Sequence, residues 1–237
     1  MSESKVRISK FLSLHGVCSR REAERLILDG CVRVNQSILK TPVYFINDED
    51  EVFVKNKLVK KVNRVRLWKY FKPKCVITTH KDEFQRTTLF ETLPKELGRV
   101  ISVGRLDYKT EGLILLTNNG ELSRTLELPK TNLKRTYLCK AHGSMPNNMI
   151  NELEMGLKIG EVQYASIRVE FIRNKGSNNW YKIILTEGKN REIRNVFEYY
   201  NMQVSRLIRL SFGEFSAGNM KDGDLIEIDE LQFKKYL

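Results

Sequence analysis

Asp107 lies between two glycines, Gly104 and Gly112, and just ahead of the apolar run Leu113-Ile114-Leu115-Leu116. The glycines permit backbone turns that a Cβ resists. The apolar run reads as a short strand buried on both faces, and Asn118-Asn119-Gly120 supplies turn chemistry at its end. Such a segment mounts one carboxylate on a rigid sheet. A carboxylate so placed can serve as a nucleophile or general base, or as a turn cap or salt-bridge partner. The residues alone leave these uses open.

Four further segments carry side chains fit for chemistry. Lys72-Pro73-Lys74 precedes Val76-Ile77-Thr78, and Lys134-Arg135-Thr136-Tyr137 opens a strand-like stretch. Glu187-Gly188-Lys189-Asn190-Arg191-Glu192-Ile193-Arg194 leads into a helical pattern, and Val204-Ser205-Arg206-Leu207-Ile208-Arg209-Leu210 is followed by Gly213. Tyr137 suits stacking on a base or packing in a core. Arg194 follows the first turn of a helix whose apolar face is Ile193, Val196, Phe197 and Tyr200. It can keep a neighbouring carboxylate charged, bind phosphate or face solvent. Leu207 fits any apolar strand. Strand alternation would point Arg105 and Asp107 to the same side.

In their order along the chain, these four segments and Gly104-Arg105-Leu106-Asp107, Thr110-Glu111-Gly112-Leu113 and Thr117-Asn118-Asn119-Gly120 resemble the signature of bacterial ribosomal-RNA pseudouridine synthases of the RsuA/RluB type. The resemblance implies that Asp107 is catalytic, that Arg194 is its charge partner, and that Tyr137 stacks on the displaced base and takes the C5 proton. It further implies that Arg105 fills the space a flipped uridine vacates and that Leu207 packs beneath the base. The implied reaction breaks N1–C1′, turns the base and joins C5 to C1′, with Asp107 attacking C1′ or deprotonating C2′. That chemistry needs no redox partner or group carrier, so no cofactor is expected. The segment from Glu187 to Glu192 looks closer to members acting on large-subunit than on small-subunit rRNA. Competing readings are a small-subunit synthase, a non-catalytic rRNA-binding assembly factor and an aspartate-dependent hydrolase. The chain departs from the family pattern in three places: Cys75 stands for a common glycine, Asn119 for a common aspartate, and Asn195 and Val196 follow Arg194 where a basic residue is frequent.

The elements that must hold these residues alternate without a regular repeat. Strands are expected over 65–71, 76–79, 100–103, 112–117, 136–141, 167–171, 180–185, 204–210 and 224–228. Helices are expected over 89–97, 121–126, 149–155 and 191–200. Hairpin-like connections, such as the one over 176–179, outnumber plausible crossover helices. We therefore expect an α+β fold with a mixed, largely antiparallel sheet in a catalytic domain over residues 61–237.

A smaller helix-turn-helix-plus-strands module is expected over residues 1–60. Ile8, Phe11 and Leu12 mark its first helix, Ser19 and Glu22 read as a capping box for the second, and Ala23, Leu26 and Ile27 line that helix. Val32 and Val34 alternate with Arg33 as a strand, and Val52-Phe53-Val54 returns. The stretches from Val6 to Leu12, from Ser19 to Ala23 and from Gly30 to Asn35 resemble the alpha-L RNA-binding module of a small-subunit ribosomal protein, which implies RNA contacts by Lys10, Arg20, Arg21, Arg25 and Arg33. Lys55, Lys57, Lys60, Lys61, Arg64 and Arg66 read as a basic linker.

The chain has 237 residues and a formal net charge of +12, so its field attracts polyanions. The expected partner is ribosomal RNA or a ribosomal precursor particle, bound by a monomer. Cys18, Cys31, Cys75 and Cys139 are widely spaced, which reads as small buried thiols without a zinc site or disulfide framework. His15, His80 and His142 show no metal-ligand spacing, and no metal is expected. Met1 to Lys5 carries no signal-peptide pattern, and no apolar run reaches the ~20 residues that span a bilayer. The expected setting is the cytoplasm, with no membrane contact.

Overall fold

The computed structural model of the protein describes residues 5–62, 64–175 and 178–237. The expected tight connection at Gly176-Ser177 and the opening residues Met1 to Ser4 lie outside them. The chain divides into two compact units, one running to Arg66 with Lys95–Ile101 and Asn118–Gly120, the other comprising Leu67–Pro94, Ser102–Thr117 and Glu121–Leu237.

Up to Leu58 the elements are β1 (Val6–Arg7), α1 (Ile8–Leu14), α2 (Arg20–Leu28), β2 (Val32–Val34), β3 (Ser37–Ile38), β4 (Phe45–Ile46), β5 (Val52–Val54) and β6 (Lys57–Leu58). β1 pairs with β4, and β3-β2-β5-β6 form an antiparallel sheet. The Ser19 hydroxyl accepts a hydrogen bond from the Glu22 amide at 3.2 Å and so starts α2 as its sequence predicts. Ile8, Leu12, Ala23, Ile27 and Val32 are fully buried and make the core that joins the helices to the strands.

From Leu67 onward come β7 (Leu67–Lys72), β8 (Ile101–Val103), β9 (Glu111–Thr117), α3 (Gly120–Glu127), β10 (Arg135–His142), α4 (Met149–Met155), β11 (Lys158–Ile159), β12 (Val162–Gln163), β13 (Ile167–Lys175), β14 (Asn178–Leu185), α5 (Glu192–Tyr199), β15 (Gln203–Phe212), β16 (Phe215–Ser216), β17 (Leu225–Ile228) and α6 (Glu230–Phe233). The sheet runs β13-β14-β10-β15-β9-β7-β17, with β16 against β15 and β8 against β9. Along that main path β9 and β15 are parallel and the other neighbours antiparallel, which is the mixed α+β arrangement expected. Every residue of β9 is buried, as a continuous apolar run in a sheet centre requires.

The structure corrects several local expectations. The start of the supposed basic linker is a hairpin: Lys55 and Asn56 both adopt positive φ, 48° and 62°, and return the chain as β6 against β5. Residues 76–79 form no strand but a single bridge from Ile77 to Thr88, because Pro73 ends β7 and Cys75, at φ 63°, turns the chain. Residues 89–97 form two short 3₁₀ turns, Phe90–Thr92 and Lys95–Leu97, separated by Pro94, which cannot continue a helical ladder. β9 ends at Thr117 and the chain bends at Asn118, as the turn chemistry there suggests, but Gly120 is the first residue of α3. Residues 105–107 are a loop rather than a strand. Of the four cysteines, Cys18 and Cys139 are buried, and loss of hydration pushes their thiols up to about 11 and about 12. Cys31 is half-buried and Cys75 exposed on its turn, contrary to the expectation of buried thiols. His15 accepts from the Val62 amide through Nδ1 at 2.8 Å. No helix among the described residues is long and apolar enough to cross a membrane.

Candidate active site

Three adjacent strands, β14, β10 and β15, build the floor of the site. Tyr137 on β10 is registered opposite Arg209 on β15, and Cys139 opposite Leu207. On its other side β15 meets β9 through the pairs Ile208 with Glu111 and Arg209 with Gly112. The β10–β15 register shifts between Thr136 and Tyr137, whose partners are Ser211 and Arg209, so Leu210 is an extra residue on β15. Such a bulge re-aims the side chains that flank it. Arg209 and Phe212, three residues apart, consequently meet, with the guanidinium carbon 5.3 Å from the ring centroid. Arg135 also lies over Phe212, at 4.8 Å.

Asp107 sits on a loop pinned from two directions. The Thr78 hydroxyl donates to the Leu106 carbonyl at 3.0 Å and accepts from the Leu106 amide at 3.3 Å. The Cys75 amide donates to the Tyr108 carbonyl at 2.8 Å, and the Thr110 amide to the Asp107 carbonyl at 3.0 Å. The turn at Cys75 thus buttresses the carboxylate loop, in a left-handed conformation that suits the glycine common at this position in the resembling family. Glu111 is buried and held by Arg206 through two hydrogen bonds of 3.0 and 2.9 Å.

The side chains of Asp107, Tyr137, Arg194, Arg105 and Leu207, each singled out from the sequence, line one cavity of about 410 Å³. Arg105 and Asp107 reach it from a loop, so strand alternation is not what aligns them. Pockets that hold small ligands span ~300–1,000 Å³. Arg194 is buried; its Nη1 donates to the Val204 carbonyl at 3.0 Å and its Nη2 to the Lys109 carbonyl at 3.1 Å. Burial lowers its pKa, and the nearby Asp107 carboxylate acts in the opposite direction. Among the described residues no ion pair joins these two, so the interaction acts across space while backbone carbonyls fix the guanidinium.

Sequence reasoning gave no role to several residues that the fold brings here. Buried side-chain polar atoms without a partner are, among the described residues, Thr110 Oγ1, Glu192 Oε1, Arg194 Nε and Arg209 Nη2. All four belong to residues lining the same cavity. A buried polar atom left unpaired costs ~1–3 kcal/mol, so their concentration marks a site built for a polar ligand. Glu192 and Arg209 stood within the quoted segments, but nothing in their spacing distinguished them from surface charges. Glu192 Oε2 accepts from the Lys189 amide at 2.9 Å, and burial, with the Glu187 charge adding to it, pushes its carboxyl up to about 7.

Lys72 is fully buried at the end of β7, where Nζ donates to the Pro73 carbonyl at 2.8 Å. Burial pulls its pKa down to about 8, opposed by the thiol of Cys75 and the carboxylates of Asp107, Glu111 and Asp222. Between about 8 and the ordinary 10.5 the folded protein binds fewer protons here than the unfolded chain, so this group makes stability rise with pH across that window. Relative to Lys72→Met, the wild type should gain ~1–3 kcal/mol between those limits. Denaturant titrations of both proteins at pH 8 and pH 10.5 check this; parallel pH dependences would refute it.

On the smaller unit, Arg20, Arg21 and Arg25 are exposed along α2. Lys10 is half-buried on α1. Arg33 is held differently from an open phosphate contact: its guanidinium carbon lies 3.8 Å from the Phe53 ring centroid, and it donates to the Asn35 carbonyl.

Comparison with known proteins bears on both units. Residues 67–199 match the family described as RNA pseudouridylate synthase, and residues 6–52 match the S4 domain. The chain is 42% identical, over 98% of its length and 97% of the relative, to an uncharacterized RNA pseudouridine synthase of Rickettsia prowazekii (strain Madrid E). It is 37% identical, over 97% of its length and 92% of the relative, to ribosomal large subunit pseudouridine synthase B of Buchnera aphidicola subsp. Schizaphis graminum (strain Sg). A crystal structure of a pseudouridylate synthase superposes with a TM-score of 0.70 at 22% identity, covering 98% of this chain and all of that one, which is a likeness of fold.

Proposed function

Given that the chain belongs to the RNA pseudouridylate synthase family and carries an S4 domain, we propose that it isomerises a uridine of large-subunit ribosomal RNA to pseudouridine, with Asp107 acting on the ribose. The observation that carries this reading is the convergence of Asp107, Tyr137, Arg194, Arg105 and Leu207 on one cavity whose wall also holds the unpartnered polar atoms. The large-subunit target rests on the names of the Buchnera and Yersinia pestis relatives, the latter 34% identical over 98% of this chain.

Uridine enters the cavity flipped from its stack. Arg105, exposed on the rim, takes the place of the base in the RNA. Asp107 attacks C1′ or removes the C2′ proton; both routes need an ionised carboxylate. Tyr137 stacks on the base and accepts the C5 proton, while Leu207 supports the ring from below. Uridine and pseudouridine are isomers, so the atoms of the reaction close without a cofactor.

In this reading residues 1–60 form the RNA-docking module and 61–237 the catalytic domain of a cytoplasmic monomer acting on rRNA or a precursor particle. Arg20, Arg21 and Arg25 meet phosphates, with Lys10 and Arg33 beside them. Reversing the three helix arginines to Glu in the full chain should weaken rRNA binding at least ~10-fold and flatten the salt dependence by roughly two to three ions. Filter binding across a salt series reads both, and an unchanged slope would remove α2 from the interface. The function itself is tested by pseudouridine mapping of rRNA from a strain lacking the gene, with and without the gene restored. A large-subunit pseudouridine that disappears and returns supports it, and an unchanged map refutes it.

A further inference from the structure

We propose that Arg209 and Glu192 grip the uracil ring along its N3 edge, Arg209 supplying positive charge to the ring as it detaches and Glu192 accepting the N3–H; this rests on the function proposed above. Each side chain is anchored at one end by a main-chain group. Arg209 is 2% exposed and its Nε donates to the Leu113 carbonyl at 2.6 Å, yet its Nη2 has no partner. Glu192 is 4% exposed, with Oε2 held by the Lys189 amide and Oε1 accepting from no donor, the Glu187 carboxyl lying beside it. Both line the cavity that holds Asp107 and Tyr137.

Arg209 and Arg135 stand over the same ring, Phe212, and the charge of Arg209 disfavours that of Arg135. No ion pair to Arg209 exists among the described residues. A buried cation without a counterion is costly unless an anion arrives from outside. The reaction supplies one. When N1–C1′ breaks, its electron pair leaves with the base, giving a uracil anion whose charge spreads over N1 and the two carbonyl oxygens. C1′ then bonds to C5, C5 loses its proton to a base, and a proton returns to N1. A cation fixed in place where this charge develops lowers the barrier, because no solvent need reorganise around it.

Glu192 supplies the complementary half in its ionised form. Uracil presents an N3–H donor flanked by two carbonyl acceptors, so one open acceptor and one open donor in the wall match it. Cytosine presents an acceptor at N3 and an amino donor at C4, and would leave the carboxylate facing a lone pair. The match also survives the isomerisation. A half-turn about the N3–C6 axis exchanges N1 with C5 and O2 with O4 while N3 stays in place. A grip on N3–H and one flanking carbonyl therefore holds the ring before and after it turns.

The test uses full-length wild type, Arg209→Met, Arg209→Lys and Glu192→Gln, with transcripts carrying uridine, 5-fluorouridine or cytidine at the mapped target. Fluorine stabilises the detached ring anion by itself. Arg209→Met should slow single-turnover conversion of uridine about 100-fold. Its deficit in breaking the glycosidic bond of 5-fluorouridine should be about tenfold or less, with Arg209→Lys recovering part of the loss on uridine. In Glu192→Gln the amide turns its oxygen to the Lys189 amide and its NH₂ to the base, so affinity for the cytidine transcript should rise relative to the uridine transcript. Thermal unfolding establishes that each variant is folded, and Arg209→Lys and Glu192→Gln carry the comparison if Arg209→Met is not. Equal deficits on uridine and 5-fluorouridine, or an unchanged uridine-to-cytidine affinity ratio, would overturn the inference. A wild type that converts no uridine would overturn the underlying function, and this inference with it.

Discussion

Asp107→Asn should abolish tritium release from rRNA labelled at uridine C5, with a rate loss of at least ~10³-fold. Asparagine keeps the size of aspartate and can hydrogen-bond, but it is a poor nucleophile and no base. The main-chain bonds that set the loop, from Thr110 to the Asp107 carbonyl and from Cys75 to the Tyr108 carbonyl, do not involve the carboxylate. The variant should therefore remain folded and still bind rRNA. The charge environment sharpens the expectation. Arg194 and Lys72 each gain from the Asp107 carboxylate, so neutralising it leaves two buried cations less compensated. A modest loss of thermal stability should accompany the loss of activity. Product formation at the wild-type rate would remove Asp107 from the chemistry.

Gly112→Ala should be nearly as damaging, through the backbone. A Cβ at Gly112 would lie 2.3 Å from the Arg209 carbonyl oxygen, 2.7 Å from its nitrogen and 3.0 Å from its carbonyl carbon. Main-chain atoms inside a sheet cannot swing aside as the end of a side chain can. The φ of 103° is a second obstacle to any residue with a Cβ. Forcing β9 and β15 apart breaks their pairing and draws Leu207 and Arg209 away from Asp107. We expect a loss of at least ~3 kcal/mol from overpacking and backbone strain together. Gly104→Ala is the control, since its φ of 69° carries strain but its Cβ would meet nothing within 4 Å. It should cost ~1–2 kcal/mol. Urea denaturation of both variants decides the point; equal losses would show that φ alone, rather than the contact with β15, governs Gly112.

The readable part of this protein was the part with a short-range cause. The cap at Ser19 is a four-residue pattern, and the apolar face of α5 repeats at helical spacing; Ile193, Val196, Phe197 and Tyr200 are all buried as expected. Where local signals competed, reading failed. The basic residues after Val54 masked a tight hairpin, because charge indicates solvent exposure but not backbone direction. Pro94 interrupted a segment whose apolar spacing alone suggested one helix.

The sequence by itself determined the two helices of the small module, the buried character of β9, the family resemblance and five residues that line one cavity. It also contained Glu192, Arg209 and Thr110, but without a mark to distinguish them. Only the tertiary structure decided that β9 lies parallel and adjacent to β15, that Leu210 bulges to bring Arg209 onto Phe212, and that four polar atoms remain unpaired in the cavity wall. The reason is range. A cap or a strand pattern is set by neighbours a few residues away, whereas Gly112 and Arg209 are brought together by sheet closure across the intervening chain. Whether a polar atom is satisfied depends on everything packed around it, which no local stretch of sequence contains.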